Sequence, residues 1–564
     1  MGLFCLISMF KHSIESYRSP GWGVAGLLAS LMLTTKVESE ALPLPVLKPV
    51  TVEVDIMSLP ASEQAALAPI LRAARDMDAV YMQQVWSGTR AMIDERRGAV
   101  GAAAGAQFDA LSFFKGPWGP AGAPFIDGVP SKQPIGDFYP AGTTKDDIES
   151  WLNTLSAPDR QRALAPFTAI EGGRNASFEA IPYARHYKDK LAEAAAELRR
   201  AATLTHEATL KKFLNLRAQA LLDDDYYASD VAFVGLQGPI DLVIGPYEVD
   251  DDTWFGAKTA YQASIGIVNE RATRRTRGIA SHLQELEDHL PLAPNLRGRK
   301  LGAAAPIVVL DAVYHGGFAG AGGAQAGYGL PNDLRVLNAV GSRTGTYSNI
   351  LKLRYDSSFR PVAESVLAEQ DRETLRFEDV RDEIMFVRLF DSLGPQYVTG
   401  TQRPIAEALQ ENAAVAAQIR SMLLSLWGHR YLIAHGYLDR HESLTLYSAF
   451  LVAALPRVRG GLDSTPSQGS TYVLNHLIEA GAISMGADGR IRFDRVAADA
   501  DIERAATEFV TFMAKGDTAA IKSSLQHYVV VTPIIRDALR RLGPAPPLQR
   551  PIYRTADRLT GDDR

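Results

Sequence analysis

The stretch DDDYYASDVAFVGLQGPIDLVIGPYEVDDDTWFGAKTAYQA occupies residues 223–263. It carries two short apolar runs, VAFVGL (231–236) and IDLVIGPYEV (240–249), punctuated by Gly-Pro. Runs of this length bounded by turn residues read as strands. Immediately before them, residues 187–222 are built from Ala, Leu, Glu, Lys and Arg and read as strongly helical. After them the pattern predicts a helix at about 278–290, a buried strand APIVVLDAVY (305–314) and a glycine loop GGFAGAGGAQAGYG (316–329). That loop lacks the Lys-Ser/Thr ending of a phosphate cradle. Earlier, residues 62–86 read as helix. A Gly/Pro-rich region over 99–143 then leads to Thr143 or Thr144 as the cap of a helix whose first turn holds Asp146 and Asp147. From 360 to 525 the pattern is mostly helical, and LGPAPPLQRPIY (542–553) is extended. The fold class is therefore α+β: a mixed portion and a mainly helical portion.

The chain has 564 residues, too many for one compact core, so two lobes are expected. Hydrophobic residues make up 46% and charged residues 22%, as in soluble globular proteins. Net charge is −6 with both signs interspersed, and no basic stripe invites nucleic acid. Cys5 is the only cysteine. A disulfide within the chain and a cysteine zinc site are therefore excluded, and any metal would rest on His, Asp and Glu. Lys11 and Arg18 precede the apolar run GVAGLLASLMLTT from Gly23, of signal-peptide length and short for a membrane span. Ser39 and Ala41 supply small residues at −3 and −1 of a cut after Ala41, with Met9 as an alternative start. The pattern predicts export to the periplasm and no membrane association beyond this segment. An uncleaved anchor or a misassigned start is the competing reading.

Five stretches recur together: 223–263, LPNDLRV (330–336), SLGP (392–395), LWGHRYLIAHGYLD (426–439) and QGSTYVLNHLIEAGAI (468–483). In this order they resemble the dipeptidyl peptidase III family of zinc peptidases, in its bacterial branch, over most of residues 120–555. The resemblance implies two lobes around a wide cleft, a helical upper lobe carrying the metal and a mixed lower lobe with a small β-barrel. The N-terminal pattern sets off residues 1–41 as signal peptide or anchor, and the resemblance implies 42–355 with a return at 525–564 as the lower lobe and 356–524 as the upper lobe.

The family's chemistry uses a helix with His-Glu-x-x-His followed by Gly: two histidines one turn apart bind zinc and the Glu activates water. Setting the family's Gly-Leu-Gly-Pro on Ser392, Leu393, Gly394 and Pro395 puts the first His on Val387, the base on Arg388 and the second His on Asp391. The Glu ligand of a second helix falls at Gln418, with Met422 where another acid is usual. The His that stabilises the transition state falls at Pro466, and a Tyr beyond GPYE at Asp250. No histidine stands between His315 and His429, so no shift of register restores the motif. Zinc is the cofactor the family implies, and its ligands are missing. Arg388, deprived of a metal, calls for an acidic partner, with Asp391 or Glu248 as candidates. Glu248 keeps the GPYE carboxylate and Asn332 one of two cleft-lining asparagines, the other standing at Gly329; Glu248, Asp250 and Asn332 are the expected substrate-binding residues. Competing structural readings make Asn332 a turn former and Tyr247 and Trp254 core aromatics.

Other histidines offer weaker chemistry. His282, Glu285 and His289 share a helical face, more simply read as solvated. His429, His435 and His441, spaced by six, do not share one. His206-Glu207 lacks a second histidine at the required spacing, and no Gly-x-Ser-x-Gly elbow exists. The expected function is a non-catalytic relative that binds a peptide or protein segment in the inter-lobe cleft. The alternatives are a hydrolase with a rebuilt site drawing on Glu248, Asp250, Asp391 and Arg388, and a structural envelope protein.

Overall fold

The computed structural model describes residues 44–97, 101–119, 122–132, 136–173, 176–301 and 306–561. The expected export segment, 1–41, lies outside the described residues. Strand β1 (Leu47–Val52) leads into the long helix α1 (Ala61–Val85), whose Ala- and Leu-rich face is fully buried. The helical run of 187–222 is two helices, α2 (Lys188–Leu204) and α3 (Ala208–Asp223). They are separated where Thr205 and the amides of His206 and Glu207 turn to the buried carboxylate of Glu63. VAFVGL is not a strand. It belongs to helix α4 (Tyr227–Val234), because Asp230 is drawn inward by Arg217 and Tyr247 and the segment packs on α3. Thr144 is the cap chosen earlier in the chain, in a capping box with Asp147.

The sheet follows. Strands β2 (Ile240–Glu248), β3 (Ala260–Val268), β4 (Ile307–Gly317), β5 (Gly327–Leu330) and β6 (Arg343–Tyr347) pair in the order β2-β3-β4-β6-β5. Only β4 and β6 are parallel. Every residue of β2 is buried, which accounts for its near-continuous apolar run. Main-chain bonding leaves β2 and β5 as edges, and side chains bridge them. Tyr328 on β5 donates to Asp241 on β2 at 2.6 Å, Arg343 on β6 donates to the same carboxylate at 2.7 Å, and Asn332 Nδ2 donates to the Tyr247 carbonyl at 2.7 Å. The sheet must curl for these groups to meet, and the bridging side chains tie its two edges.

The expected helix at 278–290 is broken into α5 (Glu270–Ala280) and α6 (Leu283–Asp288). This segment lies between β3 and β4 in sequence yet packs on the later helices. Arg275 bridges Asp382 at 3.0 Å and Glu442 at 2.6 Å, and buried Glu287 accepts the Gly394 amide at 2.7 Å. After β6 come α7 (Ser348–Arg354), α8 (Phe377–Leu389), α9 (Ala413–Ala434), α10 (Glu442–Arg459), α11 (Thr465–Glu479) and α12 (Arg495–Lys515). Helix α9 packs on α11 and α12, and α8 on α10 and α9. The chain then returns: β7 (Leu548–Tyr553) pairs in parallel with β1, and α13 (Arg554–Thr560) rests on α1. The α+β class read from the sequence holds.

Candidate functional site

Helix α8 begins where the Arg376 amide donates to Asp379 Oδ2 at 2.8 Å. Val380, Ile384, Phe386, Val387 and Leu389 are buried. Phe386 stacks on Phe390 with centroids 5.6 Å apart and meets His429 edge-on at 4.7 Å. Asp391 lies just past the helix in a 3-10 turn, Phe390–Ser392. Its Oδ1 accepts from Arg420 Nη2 at 3.1 Å and from the Ser421 hydroxyl, and its carbonyl accepts from Arg420 at 2.8 Å. The expectation that Asp391 would pair with Arg388 is therefore corrected: the turn points its carboxylate to α9. Gly394 follows at φ +85, a left-handed conformation that favours glycine, with its amide on Glu287.

Arg388 goes the other way. A Cβ on Gly327 would lie 2.5 Å from Arg388 Nη1 and 2.5 Å from the Gly345 carbonyl oxygen. The bare backbone of β5 thus lets a side chain from the helical portion lie against the sheet, five residues before Asn332. Burial, then the charges of Arg354 and Arg457, lower the Arg388 pKa to about 10. Glu383, five residues earlier on α8 and 1% exposed, is pushed up to about 7 by burial, with Arg457 opposing. Neither of its carboxylate oxygens has a hydrogen-bond partner.

Gln418 and Met422 sit on α9 facing α11: a Cβ on Gly469 would lie 2.9 Å from Gln418 Cγ and 3.2 Å from Met422 Sδ. Both are buried, and Gln418 Oε1 has no hydrogen-bond partner. Pro466 is buried in the first turn of α11, behind a Ser464 cap; proline suits that position because its missing amide is not needed there.

The three expected substrate-binding residues differ from one another. Glu248 is 1% exposed, and its Oε1 accepts the Asp250 amide at 2.7 Å. It closes the end of β2, with that oxygen turned to the main chain just beyond the strand. Asp250 is exposed, and Asn332 is half-buried, tied to the carbonyl next to Glu248. Tyr247 is a core aromatic: its hydroxyl donates to Asp230 at 2.6 Å and Arg217 lies 5.2 Å from its ring centre. Trp254 is half-buried and packs on Tyr139 at 5.2 Å.

The rival histidines separate. His429 Nε2 meets Glu442 at 2.8 Å, His435 stacks on Tyr431 at 3.9 Å, and His441 faces Asp379 at 3.5 Å. His282 stacks on Tyr437 at 3.7 Å and contacts Glu285 at 3.0 Å, while His289 turns its Nδ1 to the Glu285 carbonyl. Glu207 caps Thr209. Among the described residues, no group of three or more His, Cys, Asp and Glu is arranged to hold a metal ion.

The side chains at the register positions do not fit zinc. Val387 has no donor atom and Gln418 offers only a neutral amide. The charge of Arg388 opposes a cation, and Asp391 is engaged by Arg420 and Ser421. What the sequence reading missed is Glu383, buried with both carboxylate oxygens lacking a hydrogen-bond partner. An isolated Glu in a helix gives no warning that it is buried.

No family model matches the chain. Among solved structures it is similar to dipeptidyl-peptidase III from Corallococcus sp. strain EGB, at 36% identity and a TM-score of 0.76, over 92% of this chain and 97% of that one. It is also similar to the dipeptidyl-peptidase III of Caldithrix abyssi, at 28% identity and a TM-score of 0.86, over 91% and 98% of the two chains. A curated relative is "Nudix hydrolase 3" of Arabidopsis thaliana, 26% identical over 548 residues, which span 88% of this chain and 71% of that protein.

Proposed function

The chain belongs to the dipeptidyl-peptidase III family, and we propose that it is a member in which peptide binding persists without zinc chemistry. The observation that carries this reading is the environment of Asp391. Of the register positions on α8 and in the turn that follows it, Asp391 alone could donate to a metal, and it is held by Arg420 and Ser421. Zinc hydrolysis needs a Lewis acid and a base that takes the water proton. A guanidinium at 388 accepts no proton near neutral pH, so the family's route to an activated water is closed at that position. The proposed ligand is a peptide or protein segment, passing near Asn332 and Asp250, in a protein exported to the periplasm. Calorimetric titration of the purified chain with unmodified tetra- to octapeptides tests this. Saturable binding with the peptide recovered intact by mass spectrometry is expected; release of dipeptides would overturn it.

One observation favours a second reading, a hydrolase with a rebuilt site. Glu383, with a pKa near 7, has the proton affinity of a general base. That reading requires hydrolysis of dipeptidyl-naphthylamides by the parent and its loss in Glu383→Gln.

A further inference from the structure

A recess of about 440 Å³ is lined by two short helices that follow α7, Arg360–Val366 and Glu369–Thr374. The first helix contributes Arg360, Ala363 and Glu364, and the second Arg372 and Glu373, with Leu375 just beyond it. Tyr355 completes the lining. It stands in a π turn, Tyr355–Phe359, where the Arg360 amide reaches back to the Tyr355 carbonyl. Pro361 has no amide to continue the α-helical ladder, which accounts for the widened turn. Turns of this kind recur at functional sites.

The main chain of both helices is fixed by neighbouring elements. Arg490 Nη1 donates to the carbonyls of Glu364 and Leu367 at 2.9 Å. The Ala368 amide donates to the Ile491 carbonyl at 3.0 Å, and buried Asp371 accepts from Arg495 Nη2. The charged ends that line the recess are held less closely. Arg360 lies 3.5 Å from Asp356 and 4.0 Å from Glu364, and Arg372 lies 3.9 Å from Glu369. These are loose pairs, since a charge-assisted hydrogen bond is roughly 2.7–2.9 Å long. Glu373 forms no ion pair among the described residues. The rest of the lining is apolar: Ala363 and Leu375 are buried, and the half-buried Tyr355 ring meets Phe377 edge-on at 5.7 Å. Each helix thus offers one cation and one anion beside apolar surface, the complement of a molecule that carries both charges and an apolar body. Arg360 and Glu364 stand four residues apart, about 6 Å along the helix axis. The termini of an extended dipeptide lie at most about 7 Å apart, and those of a single amino acid about half that.

We propose that this recess binds a free dipeptide with apolar side chains, its carboxylate on Arg360 and Arg372 and its ammonium on Glu364 and Glu373. The site shares no residue with Asn332, Asp250 or the register positions, so it does not require the peptide reading above.

The test is calorimetric titration of the full chain with leucyl-leucine, its N-acetyl and C-amide derivatives, and free leucine. Saturable binding of one leucyl-leucine per chain is expected. Each blocked derivative should bind about tenfold more weakly or worse, since it leaves one pair of charges without its partner, and leucine should bind more weakly than the dipeptide. Arg360→Gln combined with Arg372→Gln should weaken leucyl-leucine binding by about tenfold or more. That variant should unfold at the parent's temperature without ligand, because its ion pairs are loose and exposed. Should it fail to fold, Glu373→Gln decides the question on the same scale. Absence of saturable leucyl-leucine binding would overturn the proposal. So would blocked derivatives or leucine that bind as tightly as the dipeptide, or binding that the substitutions leave undiminished. Octapeptides that fail to bind while leucyl-leucine binds as expected count against the peptide reading alone.

Discussion

Glu383→Gln isolates the electrostatics at the centre of this protein. Glu383 is 1% exposed, and burial raises its pKa from 4.5 to about 7. A carboxyl group whose pKa is higher in the folded than in the unfolded state disfavours folding once it must ionise. Stability is unaffected by this group below the unfolded value, falls as pH rises from 4.5 to 7, and stays lowered above that. The shift of 7 − 4.5 converts to about 3 kcal/mol at pH 8. Glutamine keeps the shape and cannot ionise. The variant should therefore be more stable than the parent by about 3 kcal/mol at pH 8, with the gap shrinking below about 1 kcal/mol at pH 5. Urea unfolding at both pH values reads this difference. A variant less stable than the parent at pH 8, or a gap that does not change with pH, would refute the reasoning. It would mean that Glu383 is ionised and serves Arg457 as a counter-ion.

His315 runs in the opposite direction. Burial, with Arg354 adding to it, lowers its pKa from 6.5 to about 3, so its contribution is complete above 6.5 and lost as pH falls; His315→Gln should flatten the acid limb of the stability curve by roughly 4 kcal/mol between those values in a urea titration against pH. Asp391→Ala leaves Arg420, whose side chain is 8% exposed, without its carboxylate and should cost about 2–3 kcal/mol in urea unfolding; a neutral result would show that the Arg420–Asp391 contact carries no weight. Val387→His, Arg388→Glu, Asp391→His and Gln418→Glu combined should confer tight zinc binding by competitive chelator titration, and a folded variant that stays metal-free would count against this register. Edman sequencing of the native protein should begin near Leu42; a chain starting at Met1 or Met9 would refute export.

The fold was legible where local pattern and packing agree. The all-apolar β2 and the strand within APIVVLDAVY stand where the sequence put them, because strands buried on both faces advertise themselves by unbroken apolar runs. VAFVGL misled for the same reason: a short apolar run is ambiguous between strand and buried helix, and the ion pair of Arg217 with Asp230, which draws the segment inward as a helix, spans 13 residues that no periodicity links. At the candidate site, Gly-Pro after α8 fixed the register, and the absence of histidine between His315 and His429 could be read directly. The meeting of Arg388 with Gly327 could not. The two are far apart in sequence, and only the packing of α8 against the sheet brings them together. Glu248 shows the converse: a motif carboxylate was legible, but its inward turn onto the Asp250 amide was not.

The most direct measurement is zinc per chain, by plasma mass spectrometry, after equilibration with excess zinc and gel filtration. With Val387, Arg388 and Gln418 at the register positions and Asp391 held by Arg420 and Ser421, only trace zinc should be retained. One zinc per chain, released together with the hydrolysis of a dipeptidyl-naphthylamide on chelation, would contradict the loss of the family's chemistry.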